Sequence, residues 1–289
     1  MPNPARESLR RLLARSLRPA VWPVEQRLDR IISSASRVSA SRVSAAVVWR
    51  GGLDGHAIAH DASVDHAATK RLRQELTYWA AVVRGADPAF PGDFRETFGR
   101  WQRTRLYELA ERLGLADDFS PGDPITGRMA EWCAVRTAVE IGSGPYPAVA
   151  AARWRRAVAV DPVADGYFAE ALVPAEAERV AFLAAPGENV PLPDAVADLV
   201  IAENCLDHVV SPPRVAAEMT RLLVPGGLAW VLVDVLDQPD ELHPHAMDDT
   251  KARTLLESAG LELVWGEVWS GHSHPLARGQ WRALLRKPE

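Results

Sequence analysis

Cysteine is nearly absent from this chain: Cys133 and Cys205 are the only two in 289 residues, and they do not share a metal-ligand spacing. That excludes a disulfide framework and a cysteine-built zinc site, and predicts two reduced core residues in a cytoplasmic setting. Long apolar runs and a leader-like stretch are also missing, which predicts a chain without a transmembrane span. Basic excess is missing too. With a net charge of −5, 47% hydrophobic and 25% charged residues, the composition is that of an ordinary globular protein and leaves no electrostatic footprint for nucleic acid.

The first fifty residues depart from this balance. They carry ten arginines against Glu7, Glu25 and Asp29. Leu9, Leu12, Leu13 and Leu17 recur at helical spacing among Arg10, Arg11, Arg15 and Arg18, the pattern of a basic amphipathic helix. Such a helix packs on its own core or on a second copy in a homodimer, or touches an anionic membrane surface peripherally. A tandem SRVSA at 36–40 and 41–45 is too short for a solenoid repeat. Gly51, Gly52 and Gly55 mark a turn, and His56, His60 and His66 just beyond it read as solvated surface histidines.

The chemistry concentrates further on. Ala138 to Pro147, AVEIGSGPYP, reads as a buried strand running into a glycine turn, where Gly142-Ser143-Gly144 lets backbone come close to a ligand. Arg155 to Pro162, RRAVAVDP, is a second apolar strand ending in Asp161, seventeen positions after Gly144. There an acid can take both hydroxyls of a ribose. Leu222 to Val235 places Pro225-Gly226-Gly227 between an amphipathic helix and a long apolar strand.

With these residues the chain resembles the class I S-adenosylmethionine-dependent methyltransferases, which carry an acidic-x-Gly-x-Gly turn, an acid after the second strand and Pro-Gly-Gly before the fifth. Gly187 to Gly227, with its LPD loop, D-L-V strand, L-D-H-V turn and R-x-L-x-P-G-G, is similar to the small-molecule branch of that superfamily. The resemblance covers roughly residues 135 to 289. It implies an α/β, Rossmann-like sheet of seven mostly parallel strands, with a terminal antiparallel strand. The apolar runs put those strands at 136–141, 157–161, 179–183, 198–203, 228–235, 261–268 and 279–286.

The resemblance also implies S-adenosyl-L-methionine as cofactor, with Glu140, Gly142, Ser143, Gly144, Asp161, Pro162, Gly187, Glu188 and Asn204 around it. Residues after the fourth strand face the transferred methyl in that family, and here they include Glu203, Asn204, Asp207 and His208. His208 is the candidate general base, with Asp207 orienting its ring; packing against the next helix is the plain alternative. His243, His245, His272 and His274 fall in loops near the carboxyl ends of later strands. Together with Asp234, Asp237 and Asp240 they suit substrate hydrogen bonding or a divalent metal; no metal ligand is assigned from sequence.

Ahead of the first strand, two helical patterns share an aromatic set. Leu72, Leu76, Trp79, Ala80 and Val83 line one helix, and Leu106, Leu109, Ala110 and Leu113 the other. By resemblance such helices cover the cofactor, which makes Tyr78, Trp79 and Trp101 substrate-lining candidates. The division is an N-terminal helical arm and lid over 1–127 and a methyltransferase domain over 128–289. The acceptor is a small molecule or a glycan, its hydroxyl favoured over an amine. An NAD-linked oxidoreductase is the first alternative, opposed by the missing third glycine and the lack of a Tyr-x-x-x-Lys pair. A non-catalytic binding module on the same fold is the second.

Overall fold

In the computed structural model the described residues are 48–49, 66–87, 92–271 and 276–289. The basic amino-terminal helix, the SRVSA tandem and His56, His60, His272 and His274 lie outside them. Eight strands form one sheet: β1 (Val48–Trp49), β2 (Thr137–Ile141), β3 (Arg156–Val160), β4 (Ala181–Leu183), β5 (Ala197–Glu203), β6 (Leu223–Asp234), β7 (Glu262–Trp269) and β8 (Gln280–Arg286). Their spatial order is β1-β4-β3-β2-β5-β6-β8-β7. The seven strands read from the sequence are all present, and the two-residue β1 is added in parallel beside β4.

The chain builds outward from β2 to β3 and β4, then returns to β5 on the other side of β2. The sheet therefore reverses its direction of growth at β2, the place where open α/β sheets leave a crevice at their carboxyl edge. β8 pairs antiparallel with both β6 and β7, as expected for two strands without an intervening helix. Pro225-Gly226-Gly227 lies inside β6 as a bulge: Ala197 pairs with Leu223 but Leu199 with Leu228. Extra residues on one strand have to leave the ladder.

Successive side chains of a strand point to opposite faces, so each inner strand feeds two cores. Val139 and Ile141 of β2, with Val200 and Ala202 of β5, join the core built with α5 (Pro212–Leu222) and α6 (Asp249–Ser258). Ala138, Leu199 and Ile201 join the opposite core, with α2 (Phe94–Leu113), α3 (Gly127–Ala134) and α4 (Ala164–Ala169). Leu106, Leu109, Ala110 and Leu113 of α2 are buried as their spacing requires. Asp93 caps α2 by accepting from the Glu96 amide at 2.9 Å, and Gly114 ends it in the left-handed conformation. Ser211 precedes Pro212 at the start of α5 but makes no side-chain cap. Glu188 Oε1 instead holds the approach to the helix by accepting from the amides of Val210 and Ser211.

The first long helix, α1 (His66–Val83), spans the carboxyl edge of the sheet. Lys70 pairs with Glu241 beyond β6, and Arg84, just past the helix, pairs with Glu170 beyond α4 at 2.7 Å. Leu76 lies so close to α4 that a Cβ on Gly166 would sit 2.7 Å from its Cδ2. Leu72, expected on the packing face, is 37% exposed, and Val82 is buried. The inner stripe is thus rotated toward Glu75, Leu76 and Trp79.

α2 is fixed to β8 by a charge pair: Arg282 NH1 donates to Glu108 Oε1 at 2.6 Å. The two side chains are 7% and 23% exposed. Removing the carboxylate leaves a guanidinium with little water. Glu108→Ala is expected to lower the unfolding free energy by roughly 2 kcal/mol, less than a fully buried pair because Glu108 is partly solvated; urea unfolding of the variant against the parent measures it.

Candidate functional site

Gly142 and Gly144 both adopt positive φ, +68° and +59°, which glycine reaches without penalty. At Gly142 the reason is steric as well. A Cβ there would lie 2.3 Å from Cβ of Cys205 at the end of β5. The turn hangs on its neighbours through backbone bonds, the Gly142 amide donating to Val160 O at 2.8 Å.

Two buried carboxylates hold the turn. Glu140 points to the α2 face, where Oε1 accepts from the Ala148 amide at 3.0 Å and Oε2 from the Val149 amide at 2.9 Å. It thereby caps the 3-10 turn Ala148–Ala151. Asp161 accepts from the Gly144 amide through Oδ2 at 3.0 Å and from the Val163 amide through Oδ1 at 3.0 Å. The Tyr167 hydroxyl also interacts with this carboxylate, which still leaves it lone-pair capacity for a donor from a ligand. Tyr146, where a small residue usually stands, is buried; its carbonyl accepts from Gln102 Nε2 of α2 at 2.7 Å. Gly99 gives its ring room, since a Cβ there would meet the Tyr146 hydroxyl at 2.9 Å.

α1 closes over this turn. The Trp79 indole lies 3.0 Å from the position a Gly144 Cβ would take. Its Nε1 donates to Glu75 Oε1 at 2.8 Å, and Glu75 stands within electrostatic reach of Asp161, Asp207 and His243. Trp79 belongs to an aromatic group with Tyr78, Phe94 and Phe98, at centroid distances of 5.3, 6.3 and 5.4 Å. Tyr78 and Trp101 lie on its outer side, 46% and 48% exposed. Of the three aromatic candidates, Trp79 alone is brought to the glycine turn.

Beyond β5, Asn204 takes a positive φ of 46° and its amide donates to Leu232 O. Glu203 instead serves the α2 face, accepting from Trp230 Nε1 at 2.9 Å with Arg105 3.7 Å away. Asp207 is 1% exposed, and neither of its carboxylate oxygens has a hydrogen bond. His208 Nε2 lies 3.8 Å from Asp207 Oδ1. The rings of His208 and His243 meet edge to face at 4.3 Å.

The loop histidines and acids are separated by the fold. His243 joins Asp207 and His208, with its Nδ1 2.8 Å from Asp240 Oδ1. His245 turns away, its Nε2 2.9 Å from Val209 O. Asp237 pairs with Arg278 at 2.7 Å on the surface. Gly187 packs under the site, where a Cβ would be 2.7 Å from Ile141 Cγ2, while Glu188 is committed to α5 and Pro162 is exposed. Glu75 was not among the sequence candidates. Its signal was an acid four residues before Trp79 on the packing face, visible once the stripe of α1 is known.

Burial dominates the electrostatics. It pushes Glu140 up to about 8, Asp161 up to about 6 against the opposing Val163 and Gly144 amides, and Glu75 up to about 7 with Asp161 adding to the rise. Asp207 is raised by burial too, with His243 opposing. A carboxyl whose folded pKa exceeds its unfolded one keeps a proton that the unfolded chain has released. Stability therefore falls as pH rises through the folded values. The ligand-free melting temperature is expected to drop by about 5 °C between about pH 6 and pH 8.5, and Glu140→Gln to flatten that slope in a fluorescence melting series.

Residues 139–231 match the family described as "Methyltransferase domain". An uncharacterised methyltransferase of Mycobacterium avium is 35% identical over 101 residues, 34% of this chain and 40% of that protein. A dimethylglycine N-methyltransferase of Parasynechococcus marenigrum is 33% identical over 103 residues, 32% of this chain and 35% of that protein. The matched stretch thus spans well under half of those relatives. Among solved structures, the 1,6-didemethyltoxoflavin-N1-methyltransferase of Burkholderia thailandensis, with bound 1,6-didemethyltoxoflavin and S-adenosylhomocysteine, superposes with a TM-score of 0.52 at 19% identity, over 78% of this chain and 90% of that one. At that identity the likeness speaks to the fold. The ordered motifs, the strand order and the matched residues together make 139–231 a domain of the class I S-adenosylmethionine-dependent methyltransferase superfamily.

Proposed function

We propose that this protein transfers a methyl group from S-adenosylmethionine to a hydroxyl of a small-molecule or glycan acceptor. The observation that carries the reading is the pairing, at the sheet's switch point, of a glycine turn tied to Asp161 with a buried carboxylate, Asp207, that has no hydrogen bond. The donor set suits the cofactor: an acid with spare lone pairs for a diol, two glycines without side chains, and several carboxyls facing a cation. When bound, the cofactor supplies a methyl carbon already activated on a positively charged sulfur.

What remains for the chain is placement and proton removal. Asp161 accepts from the ribose hydroxyls, charge-assisted bonds being roughly twice as strong as neutral ones. Gly142, Ser143 and Gly144 form the floor, Glu140 keeps that floor in shape through the 3-10 turn, and Gly187, Glu188, Asn204 and Pro162 border it. α1, within the arm of residues 1–127, is the lid, with Trp79 and Glu75 on its inner side and Tyr78 and Trp101 at its rim. The domain of 128–289 brings the acceptor to Asp207, His208 and His243, with His245 bracing the loop. That cluster removes the hydroxyl proton. An amine acceptor is the second reading, favoured by the acid lining of the edge and by the dimethylglycine N-methyltransferase among the similar proteins.

Calorimetric titration of the full chain tests the cofactor. S-adenosylmethionine and S-adenosylhomocysteine are expected to bind, and Asp161→Ala to weaken both by about tenfold or more, the worth of a charge-assisted bond or two. Because burial places the Asp161 carboxyl near 6, affinity is expected to fall as pH is lowered through that value. Binding of NADH without either adenosyl ligand sinks the reading.

A further inference from the structure

We propose that Asp207, His208 and His243 form a divalent-cation site at the carboxyl edge of the sheet, with Asp240 as the residue that orients His243. Their candidate ligand atoms all lie within 4.8 Å of one another. Two segments of the fold converge to make this set: the turn after β5 supplies Asp207 and His208 and the loop after β6 supplies His243, and the Asp207 carbonyl accepts from the His245 amide at 3.3 Å, tying loop to turn.

Asp207 gives the strongest reason. A carboxylate that is 1% exposed, with two oxygens lacking any hydrogen bond, costs several kcal/mol to bury in charged form unless something compensates it. His208 Nε2 at 3.8 Å is too far for a hydrogen bond. A cation held between the carboxylate and the two imidazoles compensates the buried charge. Ligand bonds of about 2.0–2.2 Å need the donors to draw together by about an ångström, within reach of side-chain rotation at a loop edge.

His243 is prepared for such a role. Its Nδ1 and its backbone amide both lie 2.8 Å from Asp240 Oδ1. A carboxylate on a ring nitrogen fixes the orientation of the imidazole, the arrangement that usually supports a metal-bound histidine. Two imidazoles and one carboxylate favour zinc, manganese or ferrous iron over magnesium or calcium, which prefer oxygen ligands. Three protein donors leave positions open for the acceptor.

The catalytic consequence rests on the methyl-transfer reading; the binding claim does not. An acceptor hydroxyl on the cation becomes more acidic, as water does, and releases its proton to solvent. Its oxygen then forms the bond to the methyl carbon, while the carbon–sulfur bond breaks with its electron pair staying on sulfur. His208 is in that case a ligand, and the cluster removes the proton by acidifying the hydroxyl.

The test is calorimetric titration of the tag-free full chain, stripped with EDTA, with zinc or manganese in the absence of cofactor. One saturable cation per chain is expected, weakened at least tenfold in Asp207→Asn and in His243→Gln, and about tenfold or more in Asp240→Asn. Cobalt should give a visible absorption band that the same variants lose. Far-ultraviolet circular dichroism spectra of the variants, measured alongside, should match the parent's, which shows that the fold is intact. Saturable binding that is unchanged in Asp207→Asn and His243→Gln, or no binding at all, overturns the site. If S-adenosylhomocysteine binds and the cation does not, the cation site alone fails; the reverse result keeps the site and removes the methyl-transfer reading.

Discussion

The contact between Gly142 and Cys205 is the constraint on which the site depends. β2 and β5 are adjacent and parallel, so the turns that leave them compete for the same space above the sheet edge. Only a residue without Cβ lets the first turn lie directly on the second. Because it does, the Gly144 amide reaches Asp161 on one side, and Asn204, Asp207 and His208 are delivered on the other. The glycine turn and the turn that carries Asp207 and His208 share one piece of backbone packing.

Around that contact the protein concentrates acid. Glu140, Asp161, Asp207 and Glu75 come from three different strand ends and a helix, and burial pushes all four carboxyls upward. A fold under selection for stability alone would not gather them, since each costs free energy in the charged form. They fall into two kinds. Glu140 and Asp161 are each bonded to two backbone amides and act as struts of the turn, whereas Asp207 has no such bonds and Glu75 only the Trp79 indole. The first pair shapes the site and the second faces whatever enters it.

α1 couples these parts. α1 touches the glycine turn through Trp79, the acid edge through Glu75, the β6 loop through Lys70 and the α4 region through Arg84 and Leu76. Any opening of the site has to release contacts at both ends of this helix. Few of them are large and apolar, and the ion pairs at the two ends are exposed, so the helix is held less firmly than α2, which is buried along Leu106, Leu109 and Leu113.

The seven main strands, their mostly parallel arrangement and the glycine turn were legible in the sequence because they rest on local signals: continuous apolar runs alternating with helical stretches, a turn only glycine can make, and an acid at fixed spacing after the next strand. Glu140 and Asp161 were read that way, whereas His208 came as a candidate from the resemblance alone. Other features needed the third dimension. β1 is two residues long and carries no periodicity to read. The working face of α1 was misjudged at Leu72 because helical spacing fixes which residues share a stripe but not which neighbour that stripe meets. The four loop histidines looked equivalent in the chain; of the two described, packing sent His245 to a backbone carbonyl and His243 to Asp207 and His208. The sequence determined the sheet and the nucleotide-type turn, since those follow from residue chemistry over a few positions. Tertiary structure decided which distant acids and imidazoles became neighbours, because that depends on how loops separated by dozens of residues cross one edge of the sheet.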